Sequence, residues 1–335
     1  MILVTGGTGF VGAHLLFKLL NEKQTVRAIY RNEKKFETIK RIFSYYTTNT
    51  EALFNAIDWV EADLNDVPAL TEAFKDVTHV YHCAAFVSFE PDKFDLLQKT
   101  NIEGTANIVN LSIAFNITKL CYISSIAAIG EPKPGEITTE DTEWNPEVDN
   151  SVYAITKHGA ELEVWRGTQE GLDAVIVNPG VIIGPGIWNY GSGSIIKTVH
   201  NNLKYYTSGS VGYVAVNDVV NALFSLMQSD VKNERFILVS KNWTYKKFLI
   251  FCAKALQVDS PKKEAKNWLL QIGWRLDWLK HKTTGKRRIL TKQLAESLVS
   301  QSQFNGSKIK AHLTFEYSNL EAEIKETCEL YLKDI

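Results

Sequence analysis

Cysteine is scarce in this chain, and its placement argues against two kinds of structural support. The 335 residues include four cysteines, at positions 83, 121, 252 and 328, and no two of them lie at a short paired spacing. Zinc clusters and disulfide frameworks need cysteines at short, repeated intervals. We therefore expect a reduced protein without a metal site, located in the cytoplasm.

Long apolar runs and an excess of charge of one sign are also missing. No stretch reaches the roughly 18 uninterrupted apolar residues that a spanning helix requires. The first apolar run, Ile2–Val4, follows no basic or apolar leader. Basic and acidic residues number 37 and 38, so the net charge is −1. We expect no nucleic-acid partner and no spanning membrane segment, because a neutral molecule has no overall attraction for polyanions.

The first half of the chain alternates short β-branched runs with helical patterns. Runs at Ile2–Val4, Thr25–Tyr30, Ile57–Val60, His79–His82, Lys119–Ser124 and Ala174–Val177 are typical of strands. Between them lie helical patterns such as Val11–Leu20. Strands that alternate with crossover helices predict an α/β fold, a Rossmann-type doubly wound parallel sheet.

The composition changes after Pro179. Residues 180–212 hold seven glycines and only two charges, which indicates loops around a pocket. Further strands are predicted at Tyr213–Val216 and Arg235–Val239, and a mostly helical region begins at Trp243. We predict that residues 1–180 and 211–240 form a dinucleotide-binding domain. Residues 181–210 and 241–335 would form a smaller, mostly helical substrate-binding lobe.

Three glycines directly after the first strand predict a phosphate-binding loop. Gly6, Gly9 and Gly12 lie at G-x-x-G-x-x-G spacing between the strand and the first helix. Glycines allow a tight turn and a close approach of the backbone, and the N-terminus of a helix attracts a pyrophosphate. A purely structural glycine turn is the alternative.

The end of the second predicted strand bears on the choice of dinucleotide. An acidic residue there would bind the ribose hydroxyls of NAD, but Tyr30 is followed by Arg31. An arginine can pair with a 2′-phosphate, which favours NADP over NAD, although a solvated arginine is an alternative interpretation. Asp63, after the third strand, is placed to contact the adenine amino group.

A tyrosine and a lysine one helical turn apart predict proton transfer. Tyr153 and Lys157 share one face of a helix at i, i+4 spacing. An ammonium beside a phenol lowers the pKa of the phenol from about 10, which suits a general acid or base. Ser124 and Ser125 follow the fifth strand, and a hydroxyl at this position can orient a reacting oxygen towards the tyrosine.

Together these motifs resemble the extended short-chain dehydrogenase/reductase superfamily, also known as the NAD-dependent epimerase/dehydratase family. The motifs that carry the resemblance occur in the family's order: T-G-G-T-G-F-V-G at 5–12, Asp63, H-C-A-A at 82–85, N-I-E-G-T at 101–105, S-S-I-A-A-I-G at 124–130, Y-A-I-T-K at 153–157 and N-P-G-V-I-I-G-P-G at 178–186. The resemblance is closest to the dihydroflavonol reductase and 3β-hydroxysteroid dehydrogenase branch.

This resemblance implies roles for individual residues. Ser125, Tyr153 and Lys157 would be catalytic, and Asn101 would be a structural asparagine of the central helix. The residues that would bind the dinucleotide are Gly6, Thr8, Gly9, Phe10, Val11, Gly12, Arg31, Asp63, Leu64, Ala84, Ala85, Asn101, Tyr153, Lys157, Pro179 and Val181. A homodimer through the helices around Asn101 and Tyr153 is also implied.

Within the superfamily, three departures favour a reductase of an apolar carbonyl compound. Ile126-Ala127 replace the acidic pair of sugar-nucleotide dehydratases, Tyr30-Arg31 lack the acidic residue usual in epimerases, and Asn178 stands where many epimerases have arginine. A nucleotide-sugar epimerase or steroid-type dehydrogenase/isomerase with bound NAD is the enzymatic alternative. A dinucleotide-sensing regulator is another, although such sensors typically lose the tyrosine–lysine pair.

The residues that would contact the small-molecule substrate are predicted less directly. Ser88 and Phe89 after the fourth strand, with Trp188, Tyr190 and Tyr205, would give a pocket with aromatic walls. The segment 261–288 has nine basic residues, two acidic residues and three tryptophans, Trp268, Trp274 and Trp278, roughly on one side of a helix. Its alternatives are a lid over the pocket, a patch that rests on a membrane surface, or a core-facing stripe with a solvated basic face.

Overall fold

The computed structural model describes residues 1–335 as twelve strands and fourteen α-helices. The strands are β1 (Ile2–Thr5), β2 (Val26–Tyr30), β3 (Asp58–Glu61), β4 (His79–His82), β5 (Lys119–Ile123), β6 (Ala174–Pro179), β7 (Val181–Ile183), β8 (Tyr205–Tyr206), β9 (Ser210–Ala215), β10 (Glu234–Leu238), β11 (Lys241–Thr244) and β12 (Lys263–Glu264). The helices are α1 (Phe10–Asn21), α2 (Phe36–Ser44), α3 (Thr50–Asn55), α4 (Val67–Ala73), α5 (Phe94–Leu97), α6 (Gly104–Ala114), α7 (Val152–Gln169), α8 (Gly191–His200), α9 (Val216–Gln228), α10 (Tyr245–Ala255), α11 (Asn267–Thr284), α12 (Lys292–Ser297), α13 (Lys308–His312) and α14 (Leu320–Asp334). None of the helices combines the length and the apolar character required to cross a bilayer.

Seven parallel strands form the main sheet, in the order β10-β6-β5-β4-β1-β2-β3. The predicted Rossmann-type doubly wound sheet is therefore confirmed. The chain leaves β1 in one direction through β2 and β3, and then returns to place β4 on the other side of β1. Ligands of such sheets bind in the crevice at the carboxyl ends of the strands where the order reverses. In this chain that crevice lies between β1 and β4.

Apolar residues cover both faces of the main sheet. One cluster of 30 buried residues packs α1, α2 and α9 against one face, and a second cluster of 20 packs α4, α6 and α7 against the other. Strands buried on both faces need near-continuous apolar sequences, which explains runs such as Val175–Val177. Between α5 and α6, residues Gln98–Glu103 form a π-helical turn that contains Asn101.

The smaller lobe has its own core and two small sheets. Strands β11, β9 and β7 form one sheet and β12 and β8 the other, and 15 buried residues fill a core between them and helices α8, α10 and α14. We predicted that residues 211–240 belong to the large domain. Helix α9 and strand β10 do pack there, whereas β9 pairs with β7 and β11. The glycine-rich segment 180–212 also contains a helix, α8, in addition to loops.

Candidate active site

Two adjoining cavities lie at the carboxyl edge of the main sheet. The first, of about 380 Å³, adjoins the glycine loop and the ends of β2, β3 and β4. The second, of about 690 Å³, lies over the ends of β5 and β6. Gly9, Cys83 and Ala85 line both cavities. Together the cavities form one elongated depression that extends from the β2 side of the sheet to the smaller lobe.

The glycine loop has a backbone that side chains would disrupt. Gly6 has a φ of +68°, and a Cβ there would lie 2.6 Å from the Ala84 backbone. A Cβ on Gly12 would lie 2.1 Å from the carbonyl oxygen of Gly6. The loop therefore packs closely against the end of β4, and α1 packs closely against the loop. As a result, the first N–H groups of α1 border the cavities, and these groups have no partner within the helix. The loop therefore fits a pyrophosphate.

A cluster of cationic and polar groups lies at the outer end of the first cavity. Arg31, Asn32 and Lys35 line it. The Arg31 guanidinium donates a hydrogen bond to Asp63 at 3.1 Å between Nη1 and Oδ2, and both side chains are largely exposed. Burial and the neighbouring guanidinium lower the pKa of Lys35. Lys35 and Asn32 were missed in the sequence, because nothing there showed that the turn after β2 folds back over the cavity.

The contacts of Asp63 differ from those predicted. Its carboxylate accepts hydrogen bonds from Arg31 and, at 2.9 Å, from the Asn65 backbone N–H. Asp63 does not line the first cavity, whereas the adjacent Ala62 and Leu64 do. The predicted contact between Asp63 and an adenine ring is therefore not supported by the geometry. Asp63 instead holds Arg31.

The three predicted catalytic side chains come together at the second cavity. Ser125 lies just past the end of β5, and Tyr153 and Lys157 lie one turn apart near the start of α7. The Ser151 hydroxyl caps α7 by accepting a hydrogen bond from the Ala154 N–H at 3.1 Å. The cap fixes the first turn of the helix, and therefore the position of Tyr153.

Lys157 is completely buried and is held from the strand side. Its Nζ donates hydrogen bonds to the Tyr122 hydroxyl at 2.7 Å and to the Ile123 carbonyl oxygen at 2.8 Å. Burial lowers the pKa of Lys157 from 10.5 to about 7, although the Glu161 carboxylate opposes the shift. The lysine thus titrates near neutral pH, where small changes in its surroundings alter its charge.

The pKa of Tyr153 shifts in the direction opposite to our expectation. Burial raises it from 10.0 to about 12, and only a hydrogen bond with Ser125 opposes the shift. The expected lowering by Lys157 is absent from this arrangement, because the ammonium binds Tyr122 and Ile123. Tyr153 is therefore protonated at neutral pH.

A buried polar network lies behind the lysine. Thr105 donates a hydrogen bond to the Asn101 carbonyl oxygen and accepts one from His82 Nε2 at 3.0 Å. The other ring nitrogen of His82 accepts a hydrogen bond from Thr5 at 2.6 Å, and the His82 ring stacks on Tyr122 at 5.3 Å between centroids. Burial lowers the pKa of His82 to about 3, so the ring is neutral. The network fixes the positions of β1, β4 and the π-helical turn relative to one another.

Asn101 supports the loop that follows β4. Its amide donates hydrogen bonds to the Phe86 carbonyl oxygen at 3.0 Å and to the Thr156 hydroxyl at 3.3 Å, and its oxygen accepts one from the Phe86 N–H at 2.8 Å. Asn101 does not line either cavity, while the preceding Thr100 lines the first. It supports the site indirectly.

Three of the five residues predicted to contact a substrate line the second cavity. Ser88 and Phe89 do, and the Phe89 ring lies 5.3 Å from the Tyr153 ring. Tyr190, also predicted, lines the cavity as well. Trp188 does not, because its ring is buried in the core of the smaller lobe and its Nε1 donates a hydrogen bond to Asp334 at 2.7 Å.

Tyr205 and Val181 are also displaced from the cavities. Tyr205 lies in β8, paired with β12, and is exposed away from the site. Val181 packs against the core of the smaller lobe, and the adjacent Ile182 lines the cavity instead. Alternation along a strand sends neighbouring side chains to opposite faces, which explains the one-residue error at Val181.

A segment far along the chain completes the second cavity. Arg287, Arg288 and Ile289, from the loop after α11, line its wall. Arg287 Nε donates a hydrogen bond at 2.7 Å to Glu90, a buried carboxylate on the loop after β4. This ion pair joins the two lobes across the cavity. The sequence showed a basic segment, but no signal that it reaches the site.

Sequence comparisons relate this chain to known proteins. The model of the NAD dependent epimerase/dehydratase family matches residues 2–238. A protein of Synechocystis sp. named as a dihydroflavonol 4-reductase is 30% identical over 81% of this chain and 77% of its own length. Sterol demethylase protein B of Methylococcus capsulatus is 27% identical over 72% of this chain and 70% of its own.

A solved structure shows the same fold over the whole chain. The UDP-glucose 4-epimerase of Thermotoga maritima, determined with UDP-glucose, superimposes with a TM-score of 0.77 at 22% identity and covers 99% of both chains. Several other structures that align over nearly the whole chain were determined with NAD.

Proposed function

The chain belongs to the NAD-dependent epimerase/dehydratase family, and we propose that within this family it is an NADP-dependent reductase of apolar or ring-bearing carbonyl compounds. The observation that carries the proposal is the convergence of Ser125, Tyr153 and Lys157 on a cavity that continues from the glycine loop. A dinucleotide laid along this depression would extend from the loop to the tyrosine.

The residues present fit a dinucleotide at both ends. The glycine loop and the N-terminus of α1 would hold the pyrophosphate, Ala62, Leu64 and Ala84 would line the adenine side, and Lys157 with Pro179 would lie at the nicotinamide side. When bound, the nicotinamide supplies a hydride to the carbonyl carbon. The chain supplies the orientation and the proton.

The choice of NADP rests on the outer end of the first cavity. Arg31 and Lys35 place two cations there, and no carboxylate lines the cavity. A 2′-phosphate would pair with both, and a bidentate arginine suits its geometry. The phosphate would have to replace Asp63 as the partner of Arg31.

In the proposed reduction, Tyr153 would be the proton donor. Since burial holds the pKa of its hydroxyl at about 12, the phenol carries a proton at neutral pH. In the reductive direction the carbonyl oxygen receives that proton as the carbon receives the hydride, and an alcohol forms. Ser125, which lines the same cavity as Tyr153, would hold the carbonyl oxygen beside the phenol.

The class of substrate is supported by the lining of the second cavity. Val87, Phe89, Ile182, Ile187 and Ile289 give it apolar walls. Apolar walls with a few converging polar groups suit a ring-bearing or alkyl substrate. The similar proteins named as a dihydroflavonol 4-reductase and as cinnamoyl-CoA reductases agree with such a substrate.

The test is reduction of a panel of ketones and aldehydes with NADPH and with NADH, using the wild-type chain and Tyr153→Phe. We expect turnover with NADPH in the wild type and a loss of at least about 10²-fold in kcat in the variant, the range for removal of a general acid. Unchanged binding of NADPH would show that the variant is folded. Full turnover in the variant would overturn the assignment of Tyr153.

An epimerase with bound NAD is the second candidate, favoured by the close superposition on a UDP-glucose 4-epimerase. Such an enzyme would purify with tightly held NAD and would interconvert a nucleotide sugar without net consumption of added cofactor. Tight NADH binding with weak NADPH binding would favour it over the reductase.

We also propose a homodimer through α7. Ile155 and Leu162, two turns apart on this helix, are exposed apolar side chains, and a second copy would cover them. Sedimentation at several protein concentrations tests this, and Leu162→Lys should shift the equilibrium to the monomer. The cytoplasmic location stays a prediction.

A further inference from the structure

Helix α11 carries an apolar stripe that faces solvent. Trp268, Ile272, Leu276 and Leu279, at spacings of four, four and three, share one face. All four are exposed, Trp268 by 62% and Leu276 by 61%. Leu269 and Trp278 flank the stripe and are exposed as well. A contiguous apolar patch of this kind on a soluble protein marks an interaction surface.

The opposite face of α11 is anchored, so the stripe cannot turn inwards. Leu270 is buried with Ala295 in a small cluster of its own. Trp274 packs against the same cluster, and its Nε1 donates a hydrogen bond to Gln271 at 2.9 Å. The three tryptophans of this segment therefore do not share one side as predicted, because Trp274 faces the protein and the other two face outwards.

Uncompensated positive charge surrounds the stripe. Of the nine basic residues between 261 and 288, only Lys262 and Arg287 have a carboxylate partner. One of the two acidic residues, Asp277, accepts hydrogen bonds from the backbone N–H groups of Ile289 and Leu290 at 2.8 and 3.1 Å. The other seven cations, which include Arg275, Lys280 and Lys282 on α11, have no such partner.

We propose that α11 docks this protein onto an anionic lipid bilayer, with the stripe in the headgroup region and its axis in the plane of the membrane. A helix with one apolar, tryptophan-containing face and basic flanks has the features of an interfacial helix, and each lysine or arginine near an anionic surface adds attraction. A second copy of the chain is disfavoured as the occupant. A two-fold contact would bring the two basic segments against each other.

The docked orientation would place the mouth of the catalytic cavity against the lipid. Ile289, five residues beyond the end of α11, lines the second cavity and is 77% exposed. If the proposed reductase function holds, on which this consequence rests, a membrane-dissolved carbonyl compound would enter without crossing water. Membrane binding itself requires neither cofactor nor turnover.

The test is flotation of the full chain with vesicles of phosphatidylcholine alone and of phosphatidylcholine with phosphatidylglycerol. We expect binding to the anionic vesicles that weakens as salt is added, and little binding to the neutral ones. Absence of binding to the anionic vesicles at low salt would overturn the proposal. Equal binding to both vesicle types would overturn the role of the basic residues.

Matched variants test whether vesicle binding depends on the stripe or on other parts of the surface. Trp268→Gln should weaken binding by roughly tenfold, because a large apolar side chain no longer leaves water, whereas Val67→Gln, an exposed apolar residue on α4, should leave it unchanged. Lys280→Glu should weaken it roughly tenfold, and Lys254→Glu on α10 should do so much less. If the α11 variants changed the sedimentation coefficient and left vesicle binding unchanged, the stripe would be a protein interface and the proposal would be wrong.

Discussion

The ammonium of Lys157 donates a 2.7 Å hydrogen bond to the hydroxyl of Tyr122, a buried tyrosine on the adjacent strand β5. The pair sits behind the catalytic cavity, and the tyrosine hydroxyl accepts from the charged form of the lysine. It therefore favours that form against burial, which lowers the pKa of Lys157 to about 7.

Tyr122→Phe should consequently lower the pKa of Lys157 further. Lysine is charged below its pKa, so if the ammonium is the active form, turnover falls as pH rises through about 7 in the wild type. Removal of the Tyr122 hydroxyl should shift this fall in kcat to lower pH. The variant should also lose about 1–3 kcal/mol of stability, because a buried donor loses one acceptor.

The measurement is kcat against pH for the wild type and the variant at saturating cofactor. Tyr81→Phe is the matched control, because Tyr81 is also a buried tyrosine of the main sheet and its hydroxyl has no hydrogen-bond partner. If kcat fell at the same pH in both variants as in the wild type, Tyr122 would have no effect on the pKa of Lys157.

Ser125 and Ser124 offer a comparison between adjacent hydroxyls. Both serines line the second cavity, but Ser125 lies beside Tyr153 and opposes the rise in its pKa, whereas Ser124 lies beside the buried Tyr122. We expect Ser125→Ala to lower kcat by roughly 10²-fold, in the range for loss of one group that holds a reacting oxygen. Ser124→Ala should change kcat only slightly. The reverse pattern in steady-state kinetics would assign the role to Ser124.

Discrimination between the two dinucleotides should depend on Arg31. Arg31→Ala should weaken NADPH binding by roughly 10- to 100-fold, the effect of losing a charged hydrogen bond, and should leave NADH binding nearly unchanged. Lys34→Ala is the control, because Lys34 neighbours the cluster without lining the cavity. Calorimetric titration gives both affinities, and an equal loss for both dinucleotides would exclude a 2′-phosphate contact.

Asp63 gives an independent check of the same site. Since its carboxylate binds Arg31 at 3.1 Å, a 2′-phosphate has to displace it. Asp63→Asn should strengthen NADPH binding, because the competing charge is removed while the side-chain shape is kept. Weaker NADPH binding in this variant would mean that Asp63 itself contacts the cofactor, as the sequence suggested.

Two buried histidines should make the fold sensitive to acid. Burial lowers the pKa of His82 to about 3 and that of His14 to about 4. Both pKa values lie below the unfolded value of 6.5, so the unfolded chain binds more protons and stability falls as pH drops below 6.5. Between pH 7.5 and 5 each histidine should cost about 2 kcal/mol.

The measurement is the free energy of unfolding in denaturant at these two pH values. His82→Gln should reduce the pH-dependent loss by about 2 kcal/mol relative to the wild type, whatever its effect at neutral pH. His312→Gln, on the exposed surface, should retain the full loss. An identical loss in all three proteins would show that His82 is not an acid-sensitive group.

The sequence predicted the main sheet well, because each of its strands contains a short apolar or β-branched run. Strand β9 was predicted to belong to the large domain, but it pairs with β7 and β11. The sequence pattern of a strand does not show which sheet the strand joins. The glycine loop and the Tyr153–Lys157 spacing were readable because each depends on residues close together in the chain.

The parts of the site that the sequence did not reveal depend on long-range contacts. Arg287 meets Glu90 across 197 positions, and Lys35 reaches the cavity only because the turn after β2 folds back. Trp188 was predicted to line the pocket, but its ring nitrogen donates a hydrogen bond to Asp334, 146 residues further along the chain. The pKa of Tyr153 also depends on burial, which a helical spacing does not reveal.

Three of the connections between the two lobes have almost no residues to spare. Strand β6 ends at Pro179 and β7 begins at Val181, β9 ends at Ala215 and α9 begins at Val216, and β10 ends at Leu238 and β11 begins at Lys241. Such short connections restrict rotation of one lobe about the other. We therefore expect a cleft of nearly constant width, and the two lobes should melt together in a single calorimetric transition.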